Sequence, residues 1–320
     1  MMNPAMPSPM PRPTHRTLPL LPSALLALAA LLAGCHGAPK VAPSLQQDAY
    51  DDAPYARVLA GSVRRGLVDY AAIRLPDAPD GVAKKNRAAA DPDALDVQLD
   101  IYLDTLARFG PETTPDQFPT EADRLAYHLN AYNAVMLRKW LDSGARTAEP
   151  GDKVQWLIWF TLDRWKIDGR SMTLDGLEQR LIRPTYHEPR AHAALVCGAI
   201  DCPPLRDEPF RGPELDAQLD DQMRTWLNDP AENAIEINDR GKVRLAKILG
   251  WYREDFEEPK SDLGGLAGVM RQYLDDADPR KRDVIRAIEE NRVGFQGYDW
   301  SINLAPPAAG AGSKSGSPSP

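Results

Sequence analysis

The sequence predicts an α+β fold, a helix-rich single domain around a small antiparallel sheet. Two observations carry that expectation. Apolar residues recur at helical spacing through most of residues 49–304, and the strand-like runs are few, short and joined by tight turns. Hairpins scattered among helices indicate α+β rather than a βαβ series.

The first 34 residues stand outside that domain. Arg12, His15 and Arg16 precede an unbroken apolar run from Ala24 to Ala33. Ten residues rise about 15 Å as a helix, half of a bilayer core, so the run is too short to span. A positive flank, a short apolar core and small residues before a cleavage point make a secretory signal. The tetrad Leu32-Ala33-Gly34-Cys35 resembles the lipobox of bacterial lipoproteins. That resemblance implies acylation of Cys35, cleavage before it, and export to the periplasmic face of a bacterial membrane. Several acyl chains anchor stably where one would not. His36, in place of an Asp associated with inner-membrane retention, leans towards the outer membrane. Residues 35–48 then read as the lipidated cysteine and a tether. At the other end, 305–320 holds Ala, Pro, Gly, Ser and a single Lys, which cannot bury enough apolar surface to order itself.

Within the domain, Leu95, Leu99, Tyr102, Leu103 and Leu106 form one apolar helical stripe that stops at Gly110. A second helix starts at Thr120, whose side chain can cap with Asp123, and runs to Ser143 before Gly144. Leu215, Leu219, Met223, Trp226 and Leu227 mark a third, closed by Asp229-Pro230. Two more cover 261–275 and 279–292. Trp165-Lys166-Ile167 and Ser171-Met172-Thr173 flank Asp168-Gly169, a hairpin signature. Ile235 and Ile237 face Val243 and Leu245 across Asn238-Asp239-Arg240-Gly241 as a second hairpin.

Removing the signal takes two arginines from 38 basic residues and none from the 46 acids, leaving a net charge of −10. An acidic domain without a basic stripe is no nucleic-acid binder, and the lipid, not surface charge, must hold it to the membrane.

Three ordered blocks are similar to the uncharacterised domain-of-unknown-function family 547. They are Leu129-Asn130-Ala131-Tyr132-Asn133-Ala134; Pro189 through Cys197 with Cys202-Pro203-Pro204-Leu205-Arg206; and Trp251-Tyr252 with Asp255-Phe256, followed by Tyr298 to Asn303. The resemblance covers about 50–304 and brings no settled activity. The family's pattern commonly has His after the Glu of the helix near 178, where this chain reads Leu177-Glu178-Gln179, and an aromatic residue where His128 stands.

Cys197 is the sharpest candidate for chemistry. It ends the apolar run Ala193-Ala194-Leu195-Val196 and is followed by Gly198, so a rigid element can turn a nucleophile out at a bend. His192 is the nearest candidate base in sequence. Residues 192 and 197 point to opposite faces of a strand and stand about 140° apart on a helix, so a local pair needs a bend between them. Every histidine precedes Cys197. Papain-like and transglutaminase-like enzymes place the base after the thiol, so such a fold would here be in permuted order, with His192 or His128 as base.

The competing reading is a disulfide between Cys197 and Cys202, stabilising by about 2 kcal/mol in the chain-entropy model and natural in an oxidising periplasm. His192, Cys197 and Cys202 have zinc-ligand chemistry, but their spacing matches no familiar knuckle and no fourth ligand is evident, so no metal and no cofactor are expected. Asn130 and Asn133, one helical turn apart, either satisfy loop backbone or act in the site, orienting a base, donating to a developing oxyanion or, for Asn133, binding substrate. Glu178 is an orienting group or a solvated glutamate. Arg190 and Arg206 bracket the cysteine segment and either bind a carboxylate, peptide terminus or phosphate or pair with nearby acids. Trp156, Trp159 and Trp165 read as core before sugar platform, Asp299 as a cap on the C-terminal segment, and Asp216, Asp220 and Asp221 as a solvated face.

The leading functional expectation is a periplasmic cell-envelope enzyme of cysteine-hydrolase type acting on peptide or amide bonds. Cys197 would attack, His192 would act as base, and Asn130 or Glu178 would orient it. The alternatives are a non-enzymatic envelope module binding a peptide, glycan or protein partner, and a thiol–disulfide redox protein.

Overall fold

A computed structural model describes residues 35–36, 39, 41–74, 91–143, 158–259 and 262–306. The signal reading of 1–34, Trp156 and residues 307–320 of the expected tail lie outside the described residues.

β1, Cys35–His36, pairs in parallel with Arg164 and Trp165. The segment read as a tether also touches the domain at Gln47, which accepts from Thr105 Oγ1 at 2.5 Å and, through its carbonyl, from Arg108 at 2.8 Å. α1, Ala53–Ser62, starts with proline in its first turn and buries Tyr55, Val58 and Leu59. The hairpin of β2, Val63–Arg64, and β3, Leu67–Val68, turns at Arg65 and Gly66. Both have positive φ, as a tight hairpin turn requires. α2, Tyr70–Ile73, is capped by Asp69.

α3, Leu95–Arg108, carries the expected stripe, with Leu99, Tyr102 and Leu106 buried. α4, Glu121–Asp142, begins in the expected capping box, with Thr120 and Asp123 bonded reciprocally. Every side chain from Leu125 to Leu141 is buried, so α4 is enclosed on all sides. β4, Arg164–Ile167, and β5, Arg170–Met172, form the first expected hairpin. Asp168 in its turn accepts from the Glu112 and Thr113 backbone N–H groups at 2.8 and 2.9 Å. α5, Leu174–Leu177, continues through a wide π turn at Glu178–Ile182 into α6, Arg183–Tyr186, and the run ends at left-handed His187.

α7 spans Leu215–Asn228. β6, Ile235–Ile237, and β7, Val243–Leu245, are the second expected hairpin. α8, Lys247–Trp251, α9, Arg253–Glu257, α10, Gly265–Tyr273, and α11, Lys281–Glu289, lead to β8, Gly294–Phe295, which joins β7 in parallel.

The α+β, helix-rich expectation is borne out. The small sheet is divided: among the described residues three separate sheets run β1-β4-β5, β2-β3 and β6-β7-β8, and two of them contain a parallel pair. The core is likewise in two clusters. One packs α1, α3 and α4 together; the other packs the C-terminal half of α7 with Leu249, Phe256, Val269, Met270 and Val284. α7 serves both, giving Leu215 and Leu219 to the first and Met223, Trp226 and Leu227 to the second. The chain crosses between clusters at Ala193 and Ala194, and Tyr298 packs against both.

Two amides on α4 tie remote loops to the core. Asn130 donates to Phe210 O at 2.8 Å and accepts from Phe210 N at 2.9 Å. One turn on, Asn133 donates to Ala194 O and accepts from Val196 N, both at 2.9 Å. Each side chain imitates a strand partner and leaves no buried polar atom of its own unmatched.

Asn133→Ala is expected to lower unfolding free energy by about 2–4 kcal/mol, because it strands a buried N–H and a buried C=O. Urea denaturation measures this, and a loss below about 0.5 kcal/mol would show that the amide does not hold the loop. A second expectation concerns acid. Buried His128 bonds Tyr186 OH through Nδ1 at 2.8 Å, and burial lowers its pKa from 6.5 to about 4. The folded state therefore disfavours the proton that the unfolded chain takes up. Stability should fall as pH drops from about 6.5 to about 4, by at most about 3 kcal/mol. Urea midpoints across that window should slope for the native chain and flatten for His128→Phe.

Candidate functional site

The site is built on the segment that follows left-handed His187. A short 3₁₀ turn, Pro189–Ala193, is capped by Glu188 and places His192 in the interior, only 3% exposed. Its Nε2 lies 2.7 Å from Asp255 Oδ2, and its ring stacks on Tyr252 at 3.8 Å between centroids and 15° between planes. Tyr252 and Asp255 are three residues apart at the α8–α9 junction, so one turn delivers both the stacking ring and the carboxylate.

Asp255 also receives Arg183 through Nε and Nη2, each at 2.6 Å. Burial alone would raise its pKa, but the His192 and Arg183 partners outweigh that and hold the carboxyl well below the usual range. The Arg183 guanidinium sits over the Tyr252 ring at 5.0 Å. On the far side, Tyr252 OH donates to Glu178 Oε1 at 2.5 Å. Gln179 donates to the same carboxylate oxygen at 2.9 Å and accepts from Arg183 through its carbonyl. Gln179 thus fills the position where the family pattern carries histidine with a neutral bridge between carboxylate and guanidinium. A narrow crevice is lined by Arg183, His187, His192, Leu195, Asp255 and Glu258. A second imidazole–carboxylate contact, His187 Nδ1 to Glu258 Oε2 at 3.0 Å, belongs to it.

The cysteines follow within a few residues. Asn133 fixes Ala194 and Val196, and Trp140 Nε1 donates to Cys197 O at 3.0 Å. Gly198 then turns the chain at φ 84°, with its Cα facing the Trp140 indole where a Cβ would collide. The turn brings Cys202 back, and Cys197 N donates to Cys202 Sγ at 3.1 Å. Both thiols are buried and unbridged, and the two residues approach to 2.5 Å. Tyr298 OH lies 3.5 Å from Cys197 Sγ and 3.2 Å from Cys202 Sγ. Burial pushes the Cys197 thiol well up from its ordinary value. Over this loop runs the C-terminal segment, with Asn303 N bonded to Gly198 O at 2.9 Å and Ile200 N to Ser301 O at 2.7 Å.

Burial raises the Tyr132 phenol pKa well above its ordinary value. No hydrogen bond joins His192 to Cys197 among the described contacts: the imidazole is engaged by Asp255, and the sulfur faces Cys202 and Tyr298.

The other sequence candidates fall into place around this centre. Glu178 belongs to it, bonded to Tyr252 and 7% exposed. Asn130 and Asn133 bond loop backbone. Arg190 pairs with Glu188, Asp216 and Asp220, and Arg206 with Glu208 and Asp221. The acids on α7 therefore hold these two arginines. Asp299 accepts from Ser301 N at 2.9 Å as a turn cap, and Trp159 and Trp165 are core. Among the described residues no group of three or more His, Cys, Asp or Glu is placed to hold a metal, and no helix is long and apolar enough to cross a membrane. Sequence reasoning passed over Asp255, Arg183 and His187 as site residues. Tyr252, Asp255 and Tyr298 all lie in the blocks that carried the family resemblance, and that was the available signal.

A family model described as "Protein of unknown function, DUF547" matches residues 115–227. The match contains Asn133, Glu178, His192, Cys197 and Cys202, and stops short of Tyr252, Asp255 and Tyr298. Searches of curated proteins and of solved structures returned no match.

Gly198→Ala should be among the most disruptive single substitutions here. It places a Cβ against Trp140 and strains a left-handed residue, so thermal denaturation should show a loss of about 2–4 kcal/mol. A wild-type melting temperature would show that the loop relaxes without consequence.

Proposed function

We propose that this protein is an exported, lipid-anchored hydrolase of the cell envelope that cleaves peptide or amide bonds through Cys197, with His192 as its acid–base group. The observation that carries the reading is the His192–Asp255 pair. A buried imidazole fixed through Nε2 by an ionised carboxylate has its tautomer and ring plane set, and its other nitrogen is left for proton transfer. Asp255, which sequence reasoning did not single out, takes the orienting part assigned there to Asn130 or Glu178. Glu178 instead supports the Tyr252 ring against which the imidazole lies.

On this reading Cys197 must leave Cys202 and Tyr298 and turn towards His192, because a buried, protonated thiol is a poor nucleophile. His192 then takes the thiol proton and the thiolate attacks the carbonyl carbon. The C–N bond breaks as His192 returns the proton to the departing amine. Water, deprotonated by His192, cleaves the thioester and frees the acid and the thiol.

The test is hydrolysis of a peptide and amide panel by the reduced, full-length chain. Cys197→Ser should abolish turnover with the fold intact, and Asp255→Asn should lower kcat by about a hundredfold or more while KM changes little. Turnover that survives Cys197→Ser sinks the nucleophile assignment, and no cleavage by the reduced native chain sinks the reading itself.

A further inference from the structure

We infer that Cys197 and Cys202 form a reversible disulfide site, whose dithiol form is held by Tyr298 and whose bridged form withholds the Cys197 sulfur from chemistry. The withholding rests on the hydrolase reading; the bridge itself does not.

The backbone already makes the turn a bridge needs. Gly198 reverses the chain, and Cys202 N bonds Ala199 O at 3.1 Å, which returns the second cysteine onto the first. The two cysteines already approach to 2.5 Å, and the Cys197 amide points at the Cys202 sulfur, so a bridge needs little movement of the loop. The dithiol is also asymmetric. Cys202 Sγ faces two donors, the Cys197 N–H at 3.1 Å and Tyr298 OH at 3.2 Å, whereas Cys197 Sγ has the phenol at the longer 3.5 Å. Negative charge in the reduced pair therefore settles on Cys202. That leaves Cys197 protonated, and makes Cys202 both the attacking sulfur on oxidation and the better leaving group on reduction.

The oxidant is an external disulfide. Cys202 thiolate attacks one of its sulfurs, forming a mixed disulfide and expelling a thiolate. Cys197 then loses its proton and attacks Cys202 Sγ, forming the internal bond and expelling the second thiolate. The external disulfide gains two electrons, and the protons from Cys197 and Cys202 end on the two released thiols. An external dithiol runs the same steps backwards.

Access is controlled by the C-terminal strap. Cys197 and Cys202 are 7% and 5% exposed, and the segment bearing Tyr298 lies on their loop through Ala199–Ile302 pairing and the Asn303–Gly198 bond. Tyr70 OH holds the strap in turn by donating to Asn303 Oδ1 at 2.9 Å. A small thiol reaches the sulfurs only when that strap lifts, so exchange should be slow against an exposed disulfide.

The experiment titrates the full-length chain in glutathione buffers of graded thiol-to-disulfide ratio, quenches with acid, alkylates after denaturation and maps peptides, which separates Cys35 from the pair. The expected result is one Cys197–Cys202 bridged species that interconverts with a doubly alkylated one. In Tyr298→Phe the midpoint should move towards the disulfide by about tenfold, since a donor to the reduced pair is gone. Cys202→Ala, which adds no bulk, should leave Cys197 alkylated at every ratio and serves if Tyr298→Phe fails to fold. Full alkylation of both cysteines in the most oxidising buffer overturns the site, and so does a bridge that a dithiol cannot open in the folded chain. Hydrolysis assays on the two forms separate the claims. A bridge that titrates in a chain that never hydrolyses removes the hydrolase reading alone. Equal hydrolysis by both forms removes the withholding alone.

Discussion

Everything in the site depends on one pair of side-chain amides inside α4. A helix enclosed on every side cannot contact loops through water, so whatever touches it must be matched atom for atom. Asn133 does this for the cysteine segment by offering both a donor and an acceptor to Ala194 and Val196. Asn130 does the same one turn away for Phe210. A hydrophobic residue at either position would pack well enough but would leave two backbone groups of a buried loop unpaired, at roughly 1–3 kcal/mol each. The amide therefore sets where residues 194–196 sit, and with them the direction in which His192 and Cys197 leave that anchor.

From that anchor the electrostatics divide. Towards α8 and α9 the polar groups are charged and matched: Asp255 lies between His192 and Arg183, and Glu178 receives Tyr252 and Gln179. Taking such charges from water is costly, and the arrangement is tolerable because each carboxylate has more than one donor. Towards the strap the polar groups are two thiols and a phenol, with no cation among their hydrogen-bond partners. The same burial that matched ion pairs withstand keeps Cys197 protonated. An ion-paired imidazole and a buried thiol pair thus stand side by side on different physics, with no hydrogen bond between them among the described contacts.

The legible parts of this molecule are the ones decided within a few residues. The Thr120–Asp123 cap, the stripe from Leu95 to Leu106, the stripe on α7 and the two hairpin turns depend on neighbours in sequence, and each appears where its spacing placed it. The geometry between residues 192 and 197 was legible in part. Neither a strand nor a helix could pair them, and the structure has a 3₁₀ turn running into a clamped loop, with the imidazole and the sulfur given different partners. What escaped is long-range. Asp255 meets His192 across 63 residues and Tyr298 meets Cys197 across 101, and no periodicity encodes such distances. The division of the sheet escaped for the same reason, since β1 and β8 acquire their partners from remote sequence. Arg190 and Arg206 looked available because the α7 acids that hold them lie 15 to 30 residues away, although Glu188 and Glu208 stand two residues off.

The placement of the site on a seam explains why it draws on so much of the chain. Ala193 belongs to the C-terminal core and Ala194 to the N-terminal one, so the backbone passes from one cluster to the other between His192 and Cys197. The imidazole's partners, Tyr252 and Asp255, come with the C-terminal cluster; the thiols' anchors, Asn133, Trp140 and Tyr70 through Asn303, come with the other. Tyr298 touches both. The imidazole and the sulfurs therefore take their hydrogen bonds from different clusters, although they stand close together in sequence. The two-cluster architecture thus keeps the imidazole–carboxylate pair and the thiol pair as separate units on either side of the seam.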